Sequence, residues 1–326
     1  MKLKNLLISF LATVLICLGI NALADNFEGF WLEQELAKRP ELFSADLMDK
    51  IIQAEAEQLK AEREFRERFK DIDINAKAAI SIRIDKKNNK TILFEKNSQE
   101  TLPIASLTKL MTALVIFDLD ETYNLFDLIT ITKESVNQEG SSKYRDLTVG
   151  EKLSVENLLY IMLLESSNDA AFALTIPIEE KNFIELMNFY AEKIGLNSTS
   201  FVNPTGLEPD DPREPKNYSS AQDLSELAEY ILRRYPRIFE FTNNQSRKII
   251  NEDGSIRHII SENTNKLLLE VPEIIGGKTG WTPQAGGCLL IVLKDQDSSD
   301  YYINVILGSE DRFTEMLKLI TPIQEQ

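Results

Sequence analysis

Ser106-Leu107-Thr108-Lys109 is the only Ser-x-x-Lys in the chain. Residues three apart on a helix share a face. Lys109 would therefore stand beside the Ser106 hydroxyl at a helix start, where backbone N–H groups favour negative charge. A serine becomes a nucleophile only with a base within hydrogen-bond reach. Lysine can be that base once burial or a second cation lowers its pKa. A second cation is available in Lys278-Thr279-Gly280, the only Lys-Thr-Gly, which lies between Gly276-Gly277 and the run Gly286–Lys294. Glycines clustered beside a strand suggest that something approaches the backbone closely. A lysine on that edge would help depress Lys109 and would attract a carboxylate. A third pattern, Ser-x-Asn, occurs at Ser135-Val136-Asn137, Ser166-Ser167-Asn168 and Ser261-Glu262-Asn263.

Each pattern also has a plain structural reading. A Ser-x-x-Lys arises by chance about once in a chain of this length at average residue usage, as an N-capping serine with a surface lysine. Lys-Thr-Gly among glycines also fits a hairpin. Loop Ser and Asn commonly serve turns and caps. What separates these readings is the joint occurrence of the three patterns and the rest of the composition.

That composition removes several classes. The formal net charge of -16 over 326 residues argues against a nucleic-acid partner, because phosphates repel an acidic surface. One histidine, His258, rules out a histidine-rich zinc site and confines any Ser-His-Asp triad to that residue. It follows an Asp-Gly turn signal in the polar stretch 254–263 and is expected at the surface or a strand edge. No metal or cofactor is expected. The two cysteines, Cys17 and Cys288, allow no internal disulfide once a leader is removed. The apolar neighbours Leu289–Leu293 would raise the Cys288 thiol pKa, which speaks against a catalytic thiol.

The positioning elements can be sketched from periodicity. Lys2 and Lys4 precede the uncharged run Leu6–Ile20, and Ala22-Leu23-Ala24 follows. This is the layout of a signal peptide cleaved after Ala24. The alternative is an uncleaved anchor, which would contact the membrane through residues 6–20. Either way the remainder is expected outside the cytoplasm. Residues 25–75 are expected to form a spacer containing one charged helix, Ser44 to about Lys70, with a single apolar stripe. From Ala78 the texture becomes β-like, with a hairpin of Ala78–Asp85 and Thr91–Glu95. Helices are expected over Ser106–Leu119, Leu153–Leu164, Phe183–Ile194 and Ser219–Tyr235, the last with a capping box from Ser219 to Gln222. A short strand is expected at Phe126–Thr132. Later strands are expected at Lys248–Asn251, Ile256–Ile260, Gly286–Lys294 and Tyr302–Gly308, with a helix over Arg312–Ile320. Strands at both ends and helices between predict an α+β fold: one antiparallel sheet packed by helices, with an inserted helical lobe. The domain they form is expected over residues 76–326.

Ser-x-x-Lys, Ser-x-Asn and Lys-Thr-Gly in that order are a known signature of penicillin-binding proteins and β-lactamases. The chain resembles the low-molecular-mass D-alanyl-D-alanine carboxypeptidases in particular, from about Ala78 to Ile320. The resemblance rests on Pro103–Thr112, Glu165–Ala171, Asn203–Leu207, Tyr218–Leu224, Asn263–Asn265, Gly277–Thr282 and Ala285-Gly286. It selects Ser166 and Asn168 among the three Ser-x-Asn matches. It implies the DD-peptidase/β-lactamase-like fold and a serine-type carboxypeptidase that removes the terminal D-alanine from peptidoglycan stem pentapeptides. Ser106 would attack the carbonyl, Lys109 would take its proton, and Ser166 would pass a proton to the leaving amine. Asn168, Lys278, Thr279, Gly280, Trp281 and Arg312 would bind substrate, Thr279 and Arg312 at its carboxylate. Backbone N–H groups of Ser106 and Trp281 would form the oxyanion hole. The implied partners are stem peptides, with β-lactam antibiotics as inhibitors.

Two departures stand out. Family members often carry histidine where this chain has Trp281, giving a more apolar rim. Many also carry a C-terminal β-sandwich and an amphipathic anchor, for which the residues up to Gln326 leave no room. Membrane retention is then expected to fall to the N-terminal segment. A β-lactamase would share the same lysines and serine, but a class A enzyme needs a Glu-x-x-Leu-Asn loop. None occurs between Asn168 and Lys278, and Glu208 lacks the pattern. A penicillin-binding sensor that stays acylated, or an endopeptidase, would keep the same motifs.

Overall fold

The computed structural model describes residues 45–138, 147–211, 213–296 and 298–325. The expected leader 1–24, with Cys17, lies outside them. The chain divides into two compact units, Met1–Glu64 and Phe65–Gln326. The expected charged helix is α1 (Ala45–Glu67).

Among the described residues, eleven strands follow in chain order. They are β1 (Ala78–Ile84), β2 (Lys90–Lys96), β3 (Leu102–Pro103), β4 (Leu128–Thr130), β5 (Lys152–Ser154), β6 (Tyr218–Ser219), β7 (Arg247–Ile250), β8 (Ile256–Ile260), β9 (Ile274–Thr282), β10 (Gly286–Lys294) and β11 (Tyr301–Ser309). The helices after α1 are α2 (Thr108–Asp118), α3 (Val155–Leu164), α4 (Asn168–Ala173), α5 (Glu180–Ile194), α6 (Ala221–Arg234), α7 (Arg237–Thr242) and α8 (Arg312–Gln324).

The main sheet has the order β2-β1-β11-β10-β9 and is antiparallel throughout. It is therefore built from both ends of the domain, as the strand distribution predicts. Successive side chains of a strand face opposite sides, and here both sides are covered. Cys288, Leu290 and Val292 of β10 face one core, and Leu289, Ile291 and Leu293 face the other. This explains why β10 reads as an unbroken apolar run rather than an alternating one. The second core is closed by Met316, Leu319, Ile320 and Ile323 of α8, together with Phe65, Phe69 and Ile74. The first and larger core holds α2, α3, α6 and the helices of the inserted lobe.

Every residue from Thr108 to Ile116 of α2 is buried. A helix apolar all round belongs in the centre of a domain, and Lys109 is the charge it carries into that centre. At its far end Asp118 accepts hydrogen bonds from the hydroxyls of Tyr190 and Tyr235.

The structure corrects some boundaries. Ser106 lies in a 3-10 turn, Ala105–Leu107, and the α-helix begins only at Thr108. Ser219 does not cap α6, because its backbone is paired with Leu102 in a two-stranded ribbon. Ser220 caps instead, accepting from the Asp223 N–H at 3.0 Å. The short strand expected at Phe126–Thr132 shrinks to β4. Strand β9 was not among the expected strands, since Gly276, Gly277 and Gly280 give it poor intrinsic β-propensity. Packing decides it: a Cβ on Gly276 would lie 2.5 Å from the Phe239 side chain, and one on Gly277 2.3 Å from the Leu290 carbonyl. His258 is on β8, as a strand-edge residue, but its ring is only 19% exposed and meets Glu165.

Candidate active site

Two buried lysines face each other from different layers. Lys109 arrives on the first turn of α2, and Lys278 in the middle of β9, paired opposite Leu290 of β10. Both side chains are essentially inaccessible to solvent. Ser106 and Ser166, which they contact, remain partly exposed.

The Lys109 ammonium nitrogen donates to Ser106 Oγ at 2.9 Å, to Asn168 Oδ1 at 2.6 Å and to the Thr205 carbonyl at 2.5 Å. Burial pulls its pKa well below the ordinary lysine range, and the nearby charge of Lys278 pulls it further. Lys278 donates to Ser166 Oγ and to the Thr279 carbonyl, each at 2.9 Å. Burial, then the charge of Arg312, lowers Lys278 to about 7. A buried lysine whose pKa is lowered in this way is a competent base for a hydroxyl 2.9 Å away.

Backbone geometry places the two serines. Ala105, just before Ser106, has φ 48°, and Ser166 has φ 63°. Non-glycine residues in the left-handed region store about 1–3 kcal/mol and persist where their surroundings hold them. At Ala105 the holder is Gly206, where an added Cβ would sit 1.9 Å from the Ala105 carbonyl oxygen. Asn203 Oδ1 pins that glycine by accepting from its N–H at 2.7 Å. Asn217 in turn ties the Asn203 carbonyl to Thr108 Oγ1, each at 2.9 Å. On the sheet side, Gly280 lets β9 pass close to the same turn, since a Cβ there would lie 3.1 Å from Ser106 N.

The remaining expected site residues lie along β9 and at the start of α8. Thr279 Oγ1 donates to Thr264 Oγ1 at 2.8 Å. Arg312 Nη1 donates to the Gly280 carbonyl at 3.1 Å, and its guanidinium lies 4.9 Å from the Phe313 ring centroid. Its buried Nε has no hydrogen-bond partner. Trp281 is 62% exposed at the end of β9. Of the Ser-x-Asn matches, Ser166 and Asn168 are brought to the two lysines, Asn168 bonding Lys109 and Ser166 bonding Lys278. Thr205, Thr264, Gly206 and the Glu165–His258 contact add to the expected set. Thr205 acts through its backbone carbonyl, which leaves no side-chain signal. Gly206 and Thr205 lie in the Asn203–Leu207 stretch on which the resemblance rests. Cys288, behind the cleft, has a thiol raised to about 11, first by burial, and is no nucleophile.

Among the described residues no group of His, Cys, Asp and Glu could hold a metal ion. The chemistry available is therefore a hydroxyl with an adjacent amine base, a second hydroxyl with a second amine, and cations along a strand edge. Such an arrangement can acylate and deacylate a serine.

Comparison with known proteins gives the same direction. Residues 63–311 match the family model of D-alanyl-D-alanine carboxypeptidases. The chain is 34% identical over 226 residues to the D-alanyl-D-alanine carboxypeptidase DacF of Bacillus subtilis, covering 68% of this chain and 55% of that protein. It is 31% identical over 221 residues to a D-alanyl-D-alanine endopeptidase of Pseudomonas aeruginosa, covering 66% of each. The chain thus spans a little over half the length of the Bacillus relative. Penicillin-binding protein D2 of Listeria monocytogenes, solved with ampicillin bound, superposes with a TM-score of 0.67 at 26% identity, over 77% of this chain and 98% of that one.

Proposed function

The chain belongs to the D-alanyl-D-alanine carboxypeptidase family, and on that footing we propose that it is a serine-type peptidase removing the terminal D-alanine from peptidoglycan stem pentapeptides. The observation that carries the proposal is the buried Lys109 amine, lowered in pKa and 2.9 Å from Ser106 Oγ. Ser106 Oγ attacks the carbonyl between the two D-alanines as Lys109 takes its proton. The oxyanion is held by the backbone N–H groups of Ser106 and Trp281. Ser166, bonded to Lys278, relays the proton taken up by Lys109 to the departing amine, so that Lys109 is neutral again and free D-alanine leaves. Water then attacks the Ser106 ester as Lys109 takes its proton, and Lys109 returns that proton to Ser106 Oγ as the shortened peptide is released.

Substrate would lie along β9. Asn168 would meet its peptide backbone. Lys278, Thr279 and Arg312 form a cationic and hydroxyl-bearing edge suited to its terminal carboxylate, and Gly280 lets the strand run close to Ser106. β-Lactams, which imitate the dipeptide end, would acylate the same serine, as the ampicillin-bound Listeria relative suggests. The catalytic domain is taken as residues 76–326, with Phe65, Phe69 and Ile74 contributing to its second core. Residues 1–24 are taken as an export segment, which would place the enzyme in the cell envelope, where its substrate is found.

The test is mass spectrometry of the intact protein after brief exposure to a penicillin, with D-alanine release from a pentapeptide followed in parallel. The parent should gain one adduct, located on Ser106, and should release D-alanine. Ser106→Ala should do neither while keeping its thermal transition. Labelling that persists in Ser106→Ala sinks the assignment of the nucleophile. The Pseudomonas relative supports a second reading, an endopeptidase acting on cross-links. Cleavage of a cross-linked dimer faster than of the pentapeptide would favour it.

A further inference from the structure

Ser166 keeps a left-handed backbone while presenting its hydroxyl to Lys278 at 2.9 Å. A strained residue of this kind needs both flanks held. Its C-terminal flank is Ser167, whose hydroxyl caps α4 by accepting from the Ala170 N–H at 3.1 Å. Its N-terminal flank is Glu165, whose side chain is 2% exposed. A carboxylate so deeply placed needs hydrogen-bond donors. One contact comes from His258, whose Nε2 lies 2.7 Å from Glu165 Oε1; in the tautomer that carries its proton on Nε2 the ring nitrogen donates.

His258 reaches Glu165 from β8, and that hairpin is itself tied to α3 and its surroundings. Arg257 clasps Glu151 with two bonds of 2.7 and 2.8 Å. Asn157 Nδ2 donates to the Ile250 carbonyl at 2.9 Å. Just beyond β8, the Thr264 N–H donates to the Leu164 carbonyl at 3.0 Å. The imidazole therefore stands on a fixed platform, with its partner one residue from the serine that needs aiming.

We propose that His258, the chain's single histidine, is a positioning residue for Ser166, acting through Glu165 to hold the turn that points the Ser166 hydroxyl at Lys278. This role rests on the peptidase reading of Ser166. His258 touches no reacting atom. Without its bond the Glu165 side chain reorients, the turn relaxes, and the Ser166 hydroxyl drifts from Lys278. Proton delivery to the leaving amine suffers, whereas substrate still binds along β9.

Four full-length proteins test this: the parent, His258→Ala, His258→Gln, whose amide N–H can replace the imidazole donor, and Ser106→Ala as the blank. Active sites are counted with a labelled penicillin, and kcat and KM are measured per counted site on a D-Ala-D-Ala pentapeptide. The expectation is a loss of about tenfold in kcat for His258→Ala with KM within about twofold, most of it recovered in His258→Gln. Hydrogen exchange should quicken at residues 165–168 in His258→Ala and return towards the parent in His258→Gln. An active parent with His258→Ala equal to it in kcat overturns the inference alone. So does a drop confined to the number of countable sites, which marks a folding role. A parent that neither binds penicillin nor releases D-alanine overturns the peptidase reading, and this role with it.

Discussion

The two walls of the cleft each carry a buried lysine beside a partly exposed serine, yet they are built differently. On the helix wall, Lys109 sits in a helix buried all round and donates to three acceptors: a hydroxyl, an amide oxygen and a carbonyl. On the strand wall, Lys278 donates to one hydroxyl and to the carbonyl of its own neighbour. Both lose charge to burial, but the second cation felt by each is different. Lys109 feels Lys278, and Lys278 feels Arg312. Charge thus differs across the cleft, from two amines lowered in pKa, Lys278 to about 7, to a guanidinium that keeps its proton. On the proposed reading, one residue type would perform two tasks because its surroundings divide them: a base on one side, a field and an anion contact on the other.

The sharpest way to break that comparison is to put arginine in each position. Arginine cannot act as a base. Lys109→Arg should therefore cost about 10³-fold or more in the rate of penicillin acylation, in keeping with loss of a general base. Lys278→Arg keeps the positive charge and should cost only about 10- to 100-fold, through misfit. Stopped-flow acylation rates decide it, and equal losses at the two positions would contradict the division of labour.

A second contrast concerns how the walls are backed. Gly206 and Gly195 have nearly the same left-handed φ, 83° and 89°. Yet a Cβ at Gly206 would strike the Ala105 carbonyl at 1.9 Å, while nothing lies within 4 Å of one at Gly195. Gly195→Ala, at the end of α5, should cost about 1 kcal/mol, the conformational penalty alone. Gly206→Ala should cost about 2–4 kcal/mol, because overpacking is added, and should slow acylation by displacing Ser106. Urea unfolding of the two variants compares them, and equal midpoints would show that the helix wall is not braced by this contact.

The smallest effect is on stability against pH. Folded Lys278 loses its proton as the pH rises through about 7, whereas an unfolded lysine holds it to about 10.4. Above 7 the unfolded chain thus binds more protons, and stability rises with pH. The window should be kept below about pH 8.5, the ordinary thiol pKa, because Cys288, raised to about 11, then contributes with the opposite sign. Between pH 7 and 8.5 Lys278 should contribute a slope of up to about 1.4 kcal/mol per pH unit. Denaturant midpoints of the parent should climb more steeply with pH than those of Lys278→Met. Parallel slopes would mean that the strand wall does not hold a neutral lysine.

Much of this architecture was readable in advance. The apolar runs Leu110–Ile116 and Leu289–Leu293 announced elements buried on every side, and the motif order named the residues of both walls. What could not be read has definite causes. Strand β9 is rich in glycine, so its local preference disagrees with its state, and only packing against Phe239 and Leu290 accounts for it. Ser219 and Ser220 compete for one helix cap, and pairing of Ser219 with Leu102, far away in the chain, settles the choice. The left-handed turns at Ala105 and Ser166 have no glycine to betray them. His258 belongs to no motif at all, and nothing in the Glu165–Ala171 stretch points to it as a partner.

Residue types and their order along the chain were enough to point to the chemistry on offer: one candidate nucleophile with an amine one turn away, and a second ammonium among glycines beside an expected strand. The tertiary structure alone decided that the pKa values of both amines fall. A lysine gives up its proton more readily when water is excluded and another cation is near. Both conditions depend on the sheet and α2 being packed together, which no local stretch of residues can encode.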